Sequence, residues 1–249
     1  MGPEGGGWNF ADIWEHHAGR FPAELVQLHG DRSYSWGDFD RRADGIATTL
    51  ISLGAQQQDK VAQYLYNGPE YLESVFGAFK AGLVPVNTNY RYLDDELVYL
   101  WDNSDACAVV FHGAFAEICE RVRSRVPRVR VWLWVDDGSG PCPDWAIPYE
   151  AATANGAGRF VPAWGRSPGD LYLQYTGGTT GAPKGVMWRQ TDVFAGLDRR
   201  SVHRLPLEPG WEELDARVTK PGPRALLTAP LMHGTSAFGS LWNLSMGGS

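Results

Sequence analysis

The amino-acid sequence predicts an α/β fold, with repeated βα units forming a mainly parallel sheet that carries helices on both faces. Three observations support this. Between residues 61 and 135, short apolar strands alternate with amphipathic helices of about ten or more residues, a rhythm that implies βαβ units. A loop at 177–184 with no apolar side chain larger than Ala or Pro then interrupts two strand-like runs. A second small-residue turn, Met232-His233-Gly234, follows another apolar run and precedes a helix-like segment.

Taken in order, Trp8, Phe10, Ile13 and Trp14 open a short amphipathic helix within 8–22, ending near Gly19. Residues 24–36 read as a hairpin, with ELVQLHG and RSYSW as strands and Gly30-Asp31 in the turn. Ser35 is placed to cap a helix from 36 to about 53, with Phe39, Ala43, Ile46 and Leu50 at helical spacing and Gly54 closing it. The βα rhythm then gives strands at 61–66, 83–86, 106–111 and 129–135, and helices at 69–81, 94–103 and 114–126. From 136 to 169 Gly and Pro are frequent and no periodicity persists, which predicts a long surface connection. Residues 190 to about 203 read as a helix, 205–223 as a Pro-rich loop, 224–228 as a strand and 236–244 as a helix.

The chemistry is concentrated in LYLQYTGGTTGAPKGVMWRQ, residues 171–190. Leu171, Leu173 and Tyr175 alternate as in a strand, and Gly185 to Trp188 resume a strand-like pattern. Between them, Thr176, Gly177, Gly178, Thr179, Thr180, Gly181 and Lys184 combine backbone freedom, hydroxyl donors and one positive charge. Glycines turn backbone N–H groups inward at positive φ, where a Cβ would clash, and successive inward N–H groups form an anion nest. The loop is therefore predicted to bind a polyphosphate. It is not a Walker A loop, because Pro183 precedes Lys184 and Gly185 follows it. A plain hairpin needs only about two to five loop residues and explains the threonines and the Pro-Lys closure poorly. His233 is the second candidate. A lone histidine is more often an ordinary polar contact, but this one lies in the turn between a strand and a helix, where α/β folds collect ligands.

A chain of 249 residues has room for a substantial core. Its 43% hydrophobic and 20% charged content is that of an ordinary globular protein. A formal net charge of −7 argues against a general nucleic-acid binder and leaves a nucleotide ligand open. Cys107, Cys119 and Cys142 show no metal-ligand spacing and fit a reducing, cytoplasmic setting. No signal peptide or bilayer-length apolar run is visible, which leaves peripheral membrane contact open.

YTGGTTGAPKG at 175–185 resembles the phosphate-loop signature of the acyl-adenylate-forming enzymes. PLMHGT at 230–235, FGAFKAGLVPVNTNYRY at 76–92 and SYSWGDFDRRADGIATTL at 33–50 resemble three further family segments, in the family's order. NTNYRY and MHGT look like fatty acyl-CoA synthetases, and Trp188-Arg189 like their actinobacterial members. The resemblance implies two-step chemistry with ATP, magnesium and a fatty acid, and with coenzyme A as co-substrate. Thr176, Gly177, Gly178, Thr179, Thr180, Gly181 and Lys184 would hold the β- and γ-phosphates, with Thr176 a magnesium ligand. Lys184 and His233 would be the catalytic pair, His233 by positioning. The fold implied is an incomplete N-terminal domain of the adenylating enzymes. Residues of about 55–200 would form its first α/β sheet region, and 1–54 with 201–249 the start of a second. The family's later Thr-Gly-Asp and Tyr-Gly-x-Thr-Glu segments and its small C-terminal domain do not appear, so the expectation is a truncated chain with little activity of its own. The alternatives are an aryl-CoA ligase, a peptide-synthetase-like adenylating enzyme, or a short non-catalytic nucleotide- or acyl-binding protein.

Overall fold

The structure, a computed structural model, describes residues 6–156, 158–177, 181–199, 201 and 204–249. Helix α1 (Phe10–Arg20) leads into an antiparallel hairpin of β1 (Leu25–His29) and β2 (Arg32–Ser35), which forms a two-stranded sheet of its own. Helix α2 (Trp36–Ser52) starts with a reciprocal capping box. The Ser35 hydroxyl accepts from the Asp38 N–H at 3.1 Å, and the Asp38 carboxylate accepts from the Ser35 N–H at 3.3 Å.

The main sheet is built from β3 (Lys60–Tyr64), β4 (Val84–Asn87), β5 (Ala106–His112), β6 (Val131–Val135), β7 (Ile147–Pro148), β8 (Leu171–Thr176) and β9 (Lys184–Arg189). Helices α3 (Pro69–Lys80), α4 (Asp94–Asn103) and α5 (Ala116–Val122) supply the crossovers. The spatial order is β7-β6-β5-β3-β4-β8-β9. Every pairing is parallel except β8 with β9. Consecutive strand residues enter opposite layers. Val61, Ala108, Val110, Leu133 and Tyr172 join the core formed with α1, α2 and α3. Ala62, Val109, Phe111, Trp132 and Leu173 join the core under α4 and α5. The expected mainly parallel sheet with helices on both faces is therefore observed, and the hairpin is the only element of a second sheet among the described residues.

Five local expectations are corrected. The helix expected at 114–126 is α5 flanked by 3₁₀ turns at Gly113–Phe115 and Arg123–Arg125. The 136–169 connection contains β7 and a short helix, α6 (Tyr149–Thr153), which lies against α2 at Gly45, where a Cβ would come within 2.1 Å of the Thr153 carbonyl oxygen. The helix after β9, α7 (Gln190–Asp198), is shorter than expected, and Val202 and His203 lie outside the described residues. The Pro-rich stretch contains α8 (Trp211–Arg217), held by the fully buried Leu214 and by Trp211 edge-on to Trp8 at 4.9 Å. The strand expected at 224–228 has no neighbouring strand. Ala225 N–H donates instead to the Ser249 carbonyl at 2.7 Å, and Leu226 is 88% exposed.

Two buried groups set opposing pH dependences. Burial pulls His17 down to about 4, and its Nδ1 has no partner while Nε2 donates to the Ser245 carbonyl at 2.9 Å. Stability from neutral His17 is full above about 6.5 and falls as pH drops toward 4, because the unfolded chain takes up the proton first. Burial pushes Asp170 up to about 6, so its ionisation costs stability as pH rises from about 4 to 6. The two slopes oppose each other in the wild type. His17→Gln should remove the His17 contribution, so the difference in urea midpoint between the variant and the wild type should shift in the variant's favour as pH falls from 6 to 4. A difference that does not change with pH would contradict the assignment.

Candidate active site

Strands β8 and β9 close the glycine–threonine loop at its base, where Thr176 and Lys184 are register partners. Thr176 lies at the carboxyl end of β8, the same end at which the parallel strand β4 finishes at Asn87. In open α/β sheets that edge is where ligands bind. Gly185 is required there: a Cβ would lie 2.9 Å from the Tyr175 ring across the pair. Helix α4 braces the hairpin. The Tyr175 hydroxyl donates to Asn103 Oδ1 at 2.7 Å, and the Tyr99 hydroxyl donates to the Pro183 carbonyl at 3.2 Å.

The side chains of Thr176 and Lys184 are exposed, as are Gly177 and Gly181, and Gly181 has a φ of +113°. The Lys184 side chain makes no ion pair or hydrogen bond among the described residues, so its charge is available to a ligand. Gly178, Thr179 and Thr180 lie outside the described residues. No group of three or more His, Cys, Asp or Glu side chains gathers as a metal site among the described residues, so Thr176 would contribute a single hydroxyl to a cation. That donor set suits magnesium, which keeps several waters and takes oxygens from phosphates rather than from a protein cage.

His233 is the N-cap residue of α9 (Gly234–Ser245), with φ −101° and ψ 141° and no side-chain cap bond. Its backbone is committed: the N–H donates to the Pro230 carbonyl at 3.0 Å, and its carbonyl accepts from Ala237 N–H at 3.0 Å. The ring is exposed and takes no part in this turn. The first N–H groups of α9 lack side-chain acceptors and present partial positive charge beside His233.

Two asparagines that the sequence reading passed over connect these parts. Asn87 binds Tyr175 and the Met232 carbonyl, and Asn67 binds the Ala229 carbonyl at 3.1 Å and the Leu231 N–H at 2.7 Å. The only signal for them was a polar side chain at or just beyond the end of an apolar strand. Behind the 225–231 segment lies a cavity of about 200 Å³, lined by Val26, Leu28, Leu72, Leu231 and Leu244 among others. Thr176, Lys184 and His233 do not line it.

The family model for AMP-binding enzymes matches residues 14–249. The chain is 34% identical over 246 residues to the medium-chain acyl-CoA ligase Mig of Mycobacterium avium, covering 92% of this chain and 44% of that protein. It is 39% identical over 190 residues to a medium/long-chain-fatty-acid–CoA/3-oxocholest-4-en-26-oate–CoA ligase of Mycobacterium tuberculosis, covering 76% of this chain and 35% of that protein. It thus spans less than half the length of either relative. The solved N-terminal domain of FACL13 from Mycobacterium tuberculosis superposes with a TM-score of 0.77 at 20% identity, over 96% of this chain and 56% of that one. That likeness supports the fold, and the identities and the family match over nearly the whole chain settle the family: this chain belongs to the AMP-binding enzymes.

Proposed function

We propose that this chain carries the phosphate-binding half of an acyl-CoA ligase. In the first step a carboxylate oxygen bonds to the α-phosphorus of ATP, the bond to the β-phosphate oxygen breaks, and acyl-AMP and pyrophosphate form. In the second, the coenzyme A thiolate adds to the acyl carbonyl and AMP leaves. The carrying observation is the base of the loop, where exposed Thr176 and Lys184, whose side chain has no partner among the described residues, face each other across one register pair. The proposed acid is a medium- to long-chain fatty acid, since the relatives at 34% and 39% identity are named for such acids.

The obstacle to the first step is repulsion between two anions, and fixed positive potential is the effect that lowers it. The loop amides and Lys184 would hold the β- and γ-phosphates and take up the charge that grows on departing pyrophosphate. Magnesium, when bound, would share the triphosphate charge, with Thr176 as its proposed protein ligand. His233, whose ring makes no hydrogen bond among the described residues, would position the acyl carboxylate. No helix among the described residues is long and apolar enough to cross a membrane. With three free thiols, a cytoplasmic site of action completes the reading.

Polypeptide carrying this chain should release AMP, not ADP, from ATP, and should complete turnover only with both a fatty acid and coenzyme A present. An ADP product, or AMP release indifferent to the acid, would overturn the proposal.

A further inference from the structure

Asn87 ends β4 and is buried. The β4–β8 ladder has a single register pair, Val86 with Leu173, so strand pairing stops short of the phosphate loop. The Asn87 carboxamide continues it. Oδ1 accepts from the Tyr175 N–H at 2.6 Å, and Nδ2 donates to the Tyr175 carbonyl at 2.9 Å. Nδ2 also donates to the Met232 carbonyl at 2.7 Å. Both amide hydrogens and one lone pair of the oxygen are therefore used.

Tyr175 immediately precedes Thr176, and Met232 immediately precedes His233. No backbone–backbone hydrogen bond among the described residues joins these two segments. Side chains join them, chiefly Asn87, with Gln174 Nε2 adding a bond to the same Met232 carbonyl at 3.2 Å. We propose that Asn87 is a positioning residue that couples the phosphate loop to His233, so that occupancy of the loop sets the His233 turn. The proposal rests on the ligase reading only for the nature of the ligand.

Only an amide satisfies this pattern. A carboxylate of the same shape would set an oxygen against two carbonyl oxygens, and an aliphatic side chain would strip the buried Tyr175 N–H and carbonyl of this partner and leave the Met232 carbonyl to Gln174 alone. Asn67 provides an internal control. It holds Ala229 and Leu231 on the His233 side and makes no bond to β8.

The test is NMR of the full chain with backbone and histidine-ring assignments, in the wild type, Asn67→Ala, Asn87→Ala and the isosteric Asn87→Asp. Without ligand, both Asn87 variants should shift signals at 174–177 and at 231–234, whereas Asn67→Ala should shift only the latter. Magnesium-ATP added to the wild type should move the loop signals and the His233 ring together. In the Asn87 variants the loop should still respond, with binding weakened by about 3- to 10-fold, the worth of a hydrogen bond or two, while the His233 ring no longer follows. Asn87→Asp carries the same reading should Asn87→Ala not fold. A His233 ring that follows ATP equally in the variants overturns the coupling, as do ligand-free spectra that change in one segment only. A wild type blind to ATP removes the polyphosphate reading instead, and the ligand-free spectra then decide the coupling alone.

Discussion

Lys80→Ala is expected to destabilise the protein by about 3–5 kcal/mol, the usual cost of removing one partner from a buried ion cluster. Lys80 is completely buried, and its Nζ lies 2.6 Å from Asp44, 2.7 Å from Asp40 and 3.0 Å from Glu15. These contacts tie α3 to α2 and α1, the helices that cover one face of the sheet. The balance among the carboxylates is already close. Burial pushes Glu15 up, but the Arg166 hydrogen bond and the Lys80 charge outweigh it and leave Glu15 below its ordinary value. At Asp40 burial prevails over Lys80, and the carboxyl is raised. Without the lysine, all three acids would face one another with, among the described residues, only the Arg166 and Arg159 cations paired to them, both on Glu15. The folded state would then take up protons that the unfolded chain does not. The deficit of the variant should therefore shrink as pH falls from 7 toward 4. Urea unfolding at both pH values measures this. A loss below about 1 kcal/mol at pH 7 would mean that water or local rearrangement already solvates the cluster. Converting Asp40 and Asp44 to Asn in the Lys80→Ala background should recover much of the loss, since the cost lies in stranded charge rather than in missing attraction.

The same network shows where a sequence stops being informative. Strands β3, β5 and β6 were legible because residues buried on both faces, such as Val109 and Val110, give continuous apolar runs. The hairpin, the Ser35 cap and the helices α2, α3 and α4 were legible because their signals are local. Helices α6 and α8 are too short for a 3.6-residue period to register, and each is held by tertiary contacts, Gly45 for one and Trp8 for the other. The 224–228 run has a strand pattern, but a strand needs a neighbour to pair with. Of the candidate site, the loop and His233 stood out by composition and placement. The asparagine clamp did not, because Asn87 and Tyr175 are 88 residues apart and meet only through the sheet order that sets β4 beside β8. Lys80 was equally silent: a lysine at the last position of a helix shows its carboxylate partners only once α1, α2 and α3 are packed.

Lys184→Ala is expected to lower the rate of acyl-adenylate formation by about 100- to 1,000-fold, the range lost when one preorganised charge-stabilising group is removed from a reacting centre. Stability should hardly change. The side chain is exposed and has no ion pair or hydrogen bond among the described residues, so its removal strands no partner. Lys184 is nonetheless fixed at its backbone as the first residue of β9, opposite Thr176, and Gly185 packed on Tyr175 sets the strand behind it. The ammonium is therefore delivered to the mouth of the loop by a braced hairpin. Its value would be realised only when phosphate charge arrives there, which predicts a loss in kcat/KM for ATP with little change in the unfolding midpoint. Lys184→Arg should recover part of the rate, since charge is kept while the planar guanidinium alters the reach. Thioester formation from supplied acyl-AMP offers the internal check. That step has no pyrophosphate to stabilise, so it should run at close to the wild-type rate in Lys184→Ala. Equal losses in both steps would show that the substitution distorts the hairpin, and an unchanged kcat/KM for ATP would remove Lys184 from the site altogether.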